Sequence, residues 1–248
     1  MKKFGLIGHP IAHSLSPALF KAAYDGKYAY DLIEGEDFET SYRRFIEEYD
    51  AINVTAPFKE AAFAKADILS EECASTGATN LLVKTPEGIK AYNSDFLGVR
   101  MWLSEVTEDL KGVKILIVGL GGAGKAAAAA AESLGMDVIR MNRTVRDSRT
   151  LTLDKFRECL READIMIYNI PAAIPELKEL TDSDFNEDKP KLILEANYKD
   201  PSLRETMESF GSKAVYTGGK TWLLYQAMTG YKILTGEKPD LTKMSDVL

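Results

Sequence analysis

The sequence predicts an α/β fold in two domains, the second built on a doubly wound parallel sheet, and three observations predict it. Strand-like and helix-like patterns alternate along nearly the whole chain of 248 residues. From Gly112 onward the alternation sharpens: "VKILIVG" is a continuous apolar β-type run, as a strand covered on both faces requires, and an alanine-rich helical segment follows it. Between the two lies a turn carrying Gly119, Gly121 and Gly124. The length suits two modest domains, since a domain typically holds about 100 to 200 residues.

In order along the chain, "KFGLIG" is a short apolar strand ended by Gly8. "SPALFKAAYD" is a helix, with Ser16 expected as its cap and Pro17 at the first helical position. "YAYDLIEG" alternates like a strand, "FETSYRRFIEEY" is amphipathic, and "AINVTAP" is a buried strand stopped by Pro57. A helix is expected from about Ala61 to Asp67, then a shorter helical patch. "ATNLLVKT" and "GIKAYNSD" form a hairpin around Pro86, Glu87 and Gly88, and a helix runs from Phe96 to Asp109. In the second domain the alanine-rich helix closes at Gly135. The strand "MDVIRMN", a helix near Leu153 to Glu162, the strand "ADIMIYNI", a proline-bearing loop and the strand "KLILEANY" follow. A helix from about Lys220 to Leu234 is expected to finish the chain.

Composition narrows the function. A net charge of −7 gives no bulk attraction to nucleic acid or to an anionic membrane, so an anionic ligand has to be met by local positive groups. The most apolar stretch, Val113 to Leu134, is interrupted by four glycines and Lys125, and is not a membrane span. The start "MKKFGLIGHP" meets His9 and Pro10 before a signal-peptide core can form. Cys73 and Cys159 have no metal-ligand spacing and are expected as reduced thiols in a cytoplasmic protein. Phe4 and Tyr30 are expected in the core, and the sequence is compatible with a monomer or a homodimer.

Gly119, Gly121 and Gly124 satisfy G-x-G-x-x-G between a strand and a helix. In a Rossmann-type unit these glycines make a tight turn, let backbone approach a pyrophosphate, and let the helix pack on the strand; the helix N-terminus then faces the phosphates. An NAD-binding unit places Asp or Glu about 20 residues on. Here the position reads "NRTVR", with Asn142, Arg143 and Arg146. A guanidinium suits a 2′-phosphate because its planar fork donates paired hydrogen bonds and keeps its charge, so NADP is expected over NAD. The alternative is that these arginines are a solvated loop edge.

The first domain holds polar patches where strands end: Ser14 and Ser16 in "HSLSP", Asn53, Thr55 and Lys59 in "NVTAPFK", and Asn80, Asn93 and Asp95 in "ATNLL" and "YNSDFLG". Each has a structural alternative: Ser16 and Asp95 as helix caps, Asn53 and Asn80 as turn formers. In order, "GHPIAHSLSP", "NVTAPFK", "GATNLL", "YNSDFLG", the glycine turn, "NRT" and "GGKTWLLYQA" resemble the shikimate dehydrogenase family over nearly the whole chain.

The resemblance implies an NADP-dependent enzyme interconverting 3-dehydroshikimate and shikimate. Its substrate-binding domain would be residues 1–94 and 220–248, its Rossmann-like NADP(H) domain residues 95–219, and its C-terminal helix would return to the first domain. It implies that Ser14 and Ser16 bind the substrate carboxylate, that Thr55, Asn80, Tyr198 and Gln226 hold the ring substituents, and that Lys59 and Asp95 form the catalytic pair. Gly119, Gly121, Gly122, Ala123, Gly124, Asn142, Arg143, Thr144, Arg146 and Gly219 are implied to bind the cofactor. The chain departs from the family where an N-A-T-x-x-G type turn is common: Asn169 matches, but Ile170, Pro171 and Ala172 do not. Glu195 stands where aspartate is usual. Two other readings are a quinate/shikimate dehydrogenase with relaxed cofactor choice and a catalytically silent NADP-binding module.

Overall fold

Alternating apolar patterns fold into two sheets in the computed structural model, which describes every residue except Met1 and Arg146. The chain forms two compact units, Met1–Gly98 with Gln226–Leu248, and Val99–Tyr225. The first unit contains β1 (Lys3–Gly8), α1 (Ser16–Ala23), β2 (Ala29–Glu34), α2 (Phe38–Glu48), β3 (Ala51–Val54), α3 (Lys59–Ala64), β4 (Ile68–Leu69), α4 (Glu71–Thr76), β5 (Leu81–Thr85) and β6 (Gly88–Tyr92). The helix α5 (Ser94–Val106) leads on to the second unit.

The first sheet has the order β2-β1-β3-β5-β6-β4. β1 is parallel to β2 and β3, β5 is antiparallel to β3 and β6, and β4 is parallel to β6. β5 is therefore the one reversed strand in that sheet. Consequently the C-terminal ends of β1, β3 and β6 and the entry to β5 share one edge. The expected hairpin closes with Thr85 opposite Gly88. On one face Phe38 and Phe45 of α2 pack on Ile7, Ile33, Ile52 and Leu82. Burying each such side chain contributes about 1.5–3 kcal/mol. Asp37 starts α2 by accepting the Thr40 N–H at 2.8 Å.

The second unit contains β7 (Lys114–Val118), α6 (Gly122–Ser133), β8 (Asp137–Met141), β9 (Thr150–Leu151), α7 (Phe156–Glu162), β10 (Ile165–Tyr168), β11 (Lys191–Glu195), α8 (Arg204–Glu208) and β12 (Ala214–Thr217). Every strand pairing in it is parallel, in the order β12-β11-β10-β7-β8-β9. The order reverses between β7 and β10, which makes the doubly wound Rossmann-like topology with its switch point there. Met166, Tyr168, Ile193, Phe156 and Leu160 are among its buried core. Two polar groups lock α7. Lys191 Nζ donates to the Ala163 and Arg161 carbonyls at 2.6 and 3.1 Å, closing the helix C-terminus. The wholly buried Asp184 carboxylate accepts from Arg157, from Arg161 and from the Thr181 N–H. The chain returns to the first unit through α9 (Gly219–Thr235) and adds α10 (Leu241–Ser245).

Several local expectations need correction. Ser16 is not a cap: Leu15 occupies the cap position with no side-chain bond, and Ser16 is the first helical residue. Pro17 has no N–H to satisfy, and the Ser16 N–H in that turn is taken by Ser14 Oγ instead. Asp95 is likewise inside α5; Asn93 caps it, accepting the Phe96 N–H at 3.2 Å. The helix expected from Ala61 begins at Lys59. Nor does the helix near Lys220 to Leu234 finish the chain, because α10 follows and its N-cap, Asp240, accepts the Lys243 N–H. Among the described residues no helix is long and apolar enough to cross a membrane, and Cys73 and Cys159 are both buried and free.

Candidate active site

Turn chemistry at the shared edge of the first sheet gathers its polar residues. A Cβ on Gly8 would come within 2.3 Å of Thr55 Cγ2, so the end of β1 must be glycine for Thr55 to sit where it does. Thr55 is fixed by its N–H, which donates to the Ile7 carbonyl at 2.9 Å, and by its own carbonyl, which accepts from Phe58. That turn delivers Lys59 as the first residue of α3. A cation there opposes the helix dipole, and it is held by Asp95, whose Oδ2 lies 2.6 Å from Lys59 Nζ. The lysine side chain is 25% exposed and the aspartate 10%, so the pair is sheltered and Lys59 remains reachable from solvent.

Next to Asp95, Ser94 is wholly buried and joins two expected substrate ligands. Its N–H donates to Asn80 Oδ1 at 2.7 Å, its hydroxyl accepts from Asn80 Nδ2 at 3.0 Å, and that hydroxyl donates to Gln226 Oε1 at 3.2 Å. Gly230 of α9 allows this approach, since a Cβ there would press on the Ser94 side chain at 3.1 Å. Ser94→Ala is expected to lower the unfolding free energy by about 1–3 kcal/mol, because it takes the hydroxyl acceptor from the buried Asn80 Nδ2 while the Ser94 N–H still reaches Oδ1. Urea denaturation measures this, and wild-type stability would remove Ser94 from that role.

A second group surrounds the serines. Ser14 Oγ donates to Ser16 Oγ at 3.1 Å and accepts the Ser16 N–H at 3.2 Å, while the Tyr231 hydroxyl donates to the Ser16 carbonyl at 3.0 Å. Tyr30 donates to Asn53 Oδ1 at 2.8 Å, and its ring lies 6.1 Å from that of Tyr231. Burial pushes both phenols well above their ordinary value, so both remain protonated donors through the neutral range. Asn93, by contrast, caps α5 and donates to Thr76 Oγ1 and the Ala78 carbonyl, which is a structural use.

In the second unit the glycine turn follows β7. Gly119 has φ +87°, and its N–H donates to the Met141 carbonyl at 2.8 Å. A Cβ on Gly124 would stand 1.8 Å from the Gly119 carbonyl oxygen, so helix and turn make the closest approach glycine permits. At Gly121 a Cβ would meet nothing within 4 Å, so the turn is open on that side. Gly122 and Ala123 open α6, whose first turn has N–H groups with no intrahelical partner. Asn142 Oδ1 accepts the Leu120 N–H at 3.3 Å and its Nδ2 donates to the Thr144 carbonyl, tying the turn to the end of β8. Arg143 and Thr144 are exposed there; Arg146 lies outside the described residues. An open glycine turn, a helix N-terminus and, directly after β8, Asn142 and the Arg143 guanidinium where an NAD-type unit has a carboxylate fit a dinucleotide carrying a 2′-phosphate.

Gly219 packs differently from the turn glycines: a Cβ on it would lie 2.5 Å from Asn197 C and 2.6 Å from Tyr198 N. It lets α9 begin against the loop after β11. That loop is held from beneath by the buried Glu195 carboxylate, which accepts from the Ser202 N–H, the Leu203 N–H and the Tyr216 hydroxyl. Tyr198 is half-buried in it, and burial raises its phenol.

A family model described as the shikimate dehydrogenase substrate binding domain matches residues 6–82, and one described as the D-isomer specific 2-hydroxyacid dehydrogenase NAD binding domain matches residues 87–194. The NADP(+) shikimate dehydrogenase of Staphylococcus aureus is 32% identical, over 98% of this chain and 96% of its own length. The chain belongs to the shikimate dehydrogenase family. The Thermotoga maritima member, also described as NADP(+)-dependent, is 30% identical over 93% of this chain and 92% of its own. The Thermus thermophilus family member, solved with NADP(H) and shikimate, superposes with a TM-score of 0.80 at 26% identity, covering 100% of this chain and 98% of that one.

Sequence reasoning missed Ser94 as a junction, although the hydroxyl in "NSD" was its signal. It also left out of the site Asn53, seen only as one residue of a patch, and Tyr30, taken simply as core. Tyr231 has no sequence signal at all.

Proposed function

We propose that this chain is an oxidoreductase that reduces 3-dehydroshikimate to shikimate reversibly with NADPH. The observation that carries the reading is the Lys59–Asp95 pair at 2.6 Å, set beside the Asn80–Ser94–Gln226 chain on the edge where strands of the first sheet end. Ser14 and Ser16 receive the substrate carboxylate. Thr55, Asn80 and Gln226 receive the ring hydroxyls, and the family resemblance adds Tyr198 to that set. Gly119, Gly121, Gly122, Ala123 and Gly124 hold the cofactor pyrophosphate, Asn142, Arg143, Thr144 and Arg146 hold the 2′-phosphate, and Gly219 is a further cofactor-binding residue. Bound NADPH supplies the hydride to the substrate ketone.

Negative charge then develops on the carbonyl oxygen, and Lys59 stabilises it and donates the proton; in the reverse direction its amine accepts the hydroxyl proton. Asp95 orients Lys59 and accepts a hydrogen bond from the neighbouring hydroxyl. The protein works in the cytoplasm on small molecules, as a monomer or homodimer. Loss of NADPH absorbance on adding 3-dehydroshikimate tests the reading, with quinate and NAD as comparison substrates. No turnover beside an active control enzyme would overturn it, and cofactor binding without turnover would favour the silent module.

Arg143→Ala should narrow the preference for NADPH over NADH by about ten- to a hundredfold, since a charge-assisted hydrogen bond contributes about 1.5–3 kcal/mol. The ratio of the two kcat/KM values measures it. An unchanged ratio would return Arg143 to the solvated loop edge.

A further inference from the structure

The loop after β10 reads "NIPAAIP", without a glycine, and side-chain hydrogen bonds and burial hold it in place. The Tyr168 hydroxyl donates to the Ala172 carbonyl at 2.7 Å across the loop, from a ring that is wholly buried. Asn197 Nδ2, on the loop after β11, donates to the Pro171 carbonyl at 3.4 Å and more tightly to the Asp200 carbonyl at 2.6 Å. At its far end Ile174 is buried in the core. At its near end Ile170 closes on the glycine turn, where a Cβ on Gly119 would come within 2.8 Å of Ile170 Cγ1. Burial pushes the Tyr168 phenol up to about 12, so it is a donor at any working pH.

Topology says what this loop faces. The switch point lies between β7 and β10, and a dinucleotide spans the strand ends with its pyrophosphate at the turn after β7. Arg143 marks the 2′-phosphate side, at the end of β8. The other half of the cofactor, the nicotinamide, therefore extends to the β10 side.

We propose that Tyr168 is a positioning residue for the nicotinamide: by bonding Ala172 it sets the loop Asn169–Ile174 against the glycine turn, with Asn197 as the second brace. The inference rests on the NADP-dependent reading above. It concerns this chain's own loop, in which Ile170, Pro171 and Ala172 follow Asn169.

Tyr168→Phe tests it, because the ring stays in the core and the exposed Ala172 carbonyl regains water; the buried Ile174 backbone loses its bond to the phenol oxygen as well, so both ends of the loop are released. Calorimetry compares NADP+ with 2′-phospho-ADP-ribose, which lacks the nicotinamide. Wild-type protein is expected to bind NADP+ more tightly of the two, and the variant to lose about three- to tenfold of that advantage, as the loss of one hydrogen bond permits. Binding of 2′-phospho-ADP-ribose should not change. In turnover, kcat with NADPH should fall by a similar factor while KM for 3-dehydroshikimate holds.

An unchanged NADP+ advantage, an equal loss for both ligands, or a wild-type protein that binds both equally would overturn the proposal; an equal loss means that Tyr168 only supports the fold. The binding comparison needs no turnover. A wild-type protein inactive on 3-dehydroshikimate would therefore overturn the assigned reaction and leave the Tyr168 comparison to be decided by binding.

Discussion

Lys59→Ala is expected to lower kcat by about 100- to 10,000-fold, the range a positioned general acid contributes, with shikimate affinity close to that of wild type. Lys59 contributes a proton and a charge at the reacting oxygen, interactions that strengthen in the transition state, so the loss should appear in kcat rather than in KM. Its placement supports that role. The side chain starts a six-residue helix, against the favourable direction of the dipole, and is kept in place by Asp95 at 2.6 Å. Steady-state kinetics and calorimetry with shikimate check the split. A variant turning over near the wild-type rate would remove Lys59 from the chemistry and leave the pair as a structural ion pair.

The largest stability effect is expected at Asp184. Asp184→Ala should lower the unfolding free energy by about 3 kcal/mol, because it leaves two guanidiniums and the Thr181 N–H without the buried carboxylate they share. Both arginines reach solvent, which keeps the loss at the lower end of the range for broken buried pairs. Burial acts to raise the Asp184 pKa, but the bonds from Arg157, Thr181 and Arg161 outweigh it, and the group sits below its ordinary value. A depressed carboxyl pKa stabilises the fold fully above the unfolded value of about 3.9, and that stability is lost as pH falls through the folded value. Chemical denaturation at neutral and acid pH should therefore show the variant's deficit shrinking toward low pH. A deficit constant with pH would mean that packing, rather than charge, is what Asp184 supplies.

How much was legible varies with the length and period of each element. The four central strands of the second sheet, β7, β8, β10 and β11, were read from "VKILIVG" onward, because a parallel strand buried on both faces is a continuous apolar run. β4 and β9, of two residues each, and the five-residue helices α8 and α10 were missed, since so few residues carry no periodicity. β12 was missed as well: Val215 is exposed and Tyr216 reaches for Glu195, so the strand does not look buried. Within the candidate site, motif order marked Lys59, Asp95, Asn80 and Gln226. It could not show that Ser94 joins the last two, because that contact spans 132 positions in sequence and exists only once α9 has packed on α5 through Gly230.

By itself the sequence determined the two-part α/β architecture, the glycine turn with arginine in place of a carboxylate, and the family, all of which are written in local patterns and their order. Tertiary structure alone decided which polar residues work together. Ser16 left its expected capping role to pair with Ser14, Asn93 took the cap expected of Asp95, and Tyr168 bonded across the loop after β10. The physical reason is the same in each case. A hydrogen bond is decided by a few tenths of an ångström between atoms of distant residues, and only the folded backbone sets that separation.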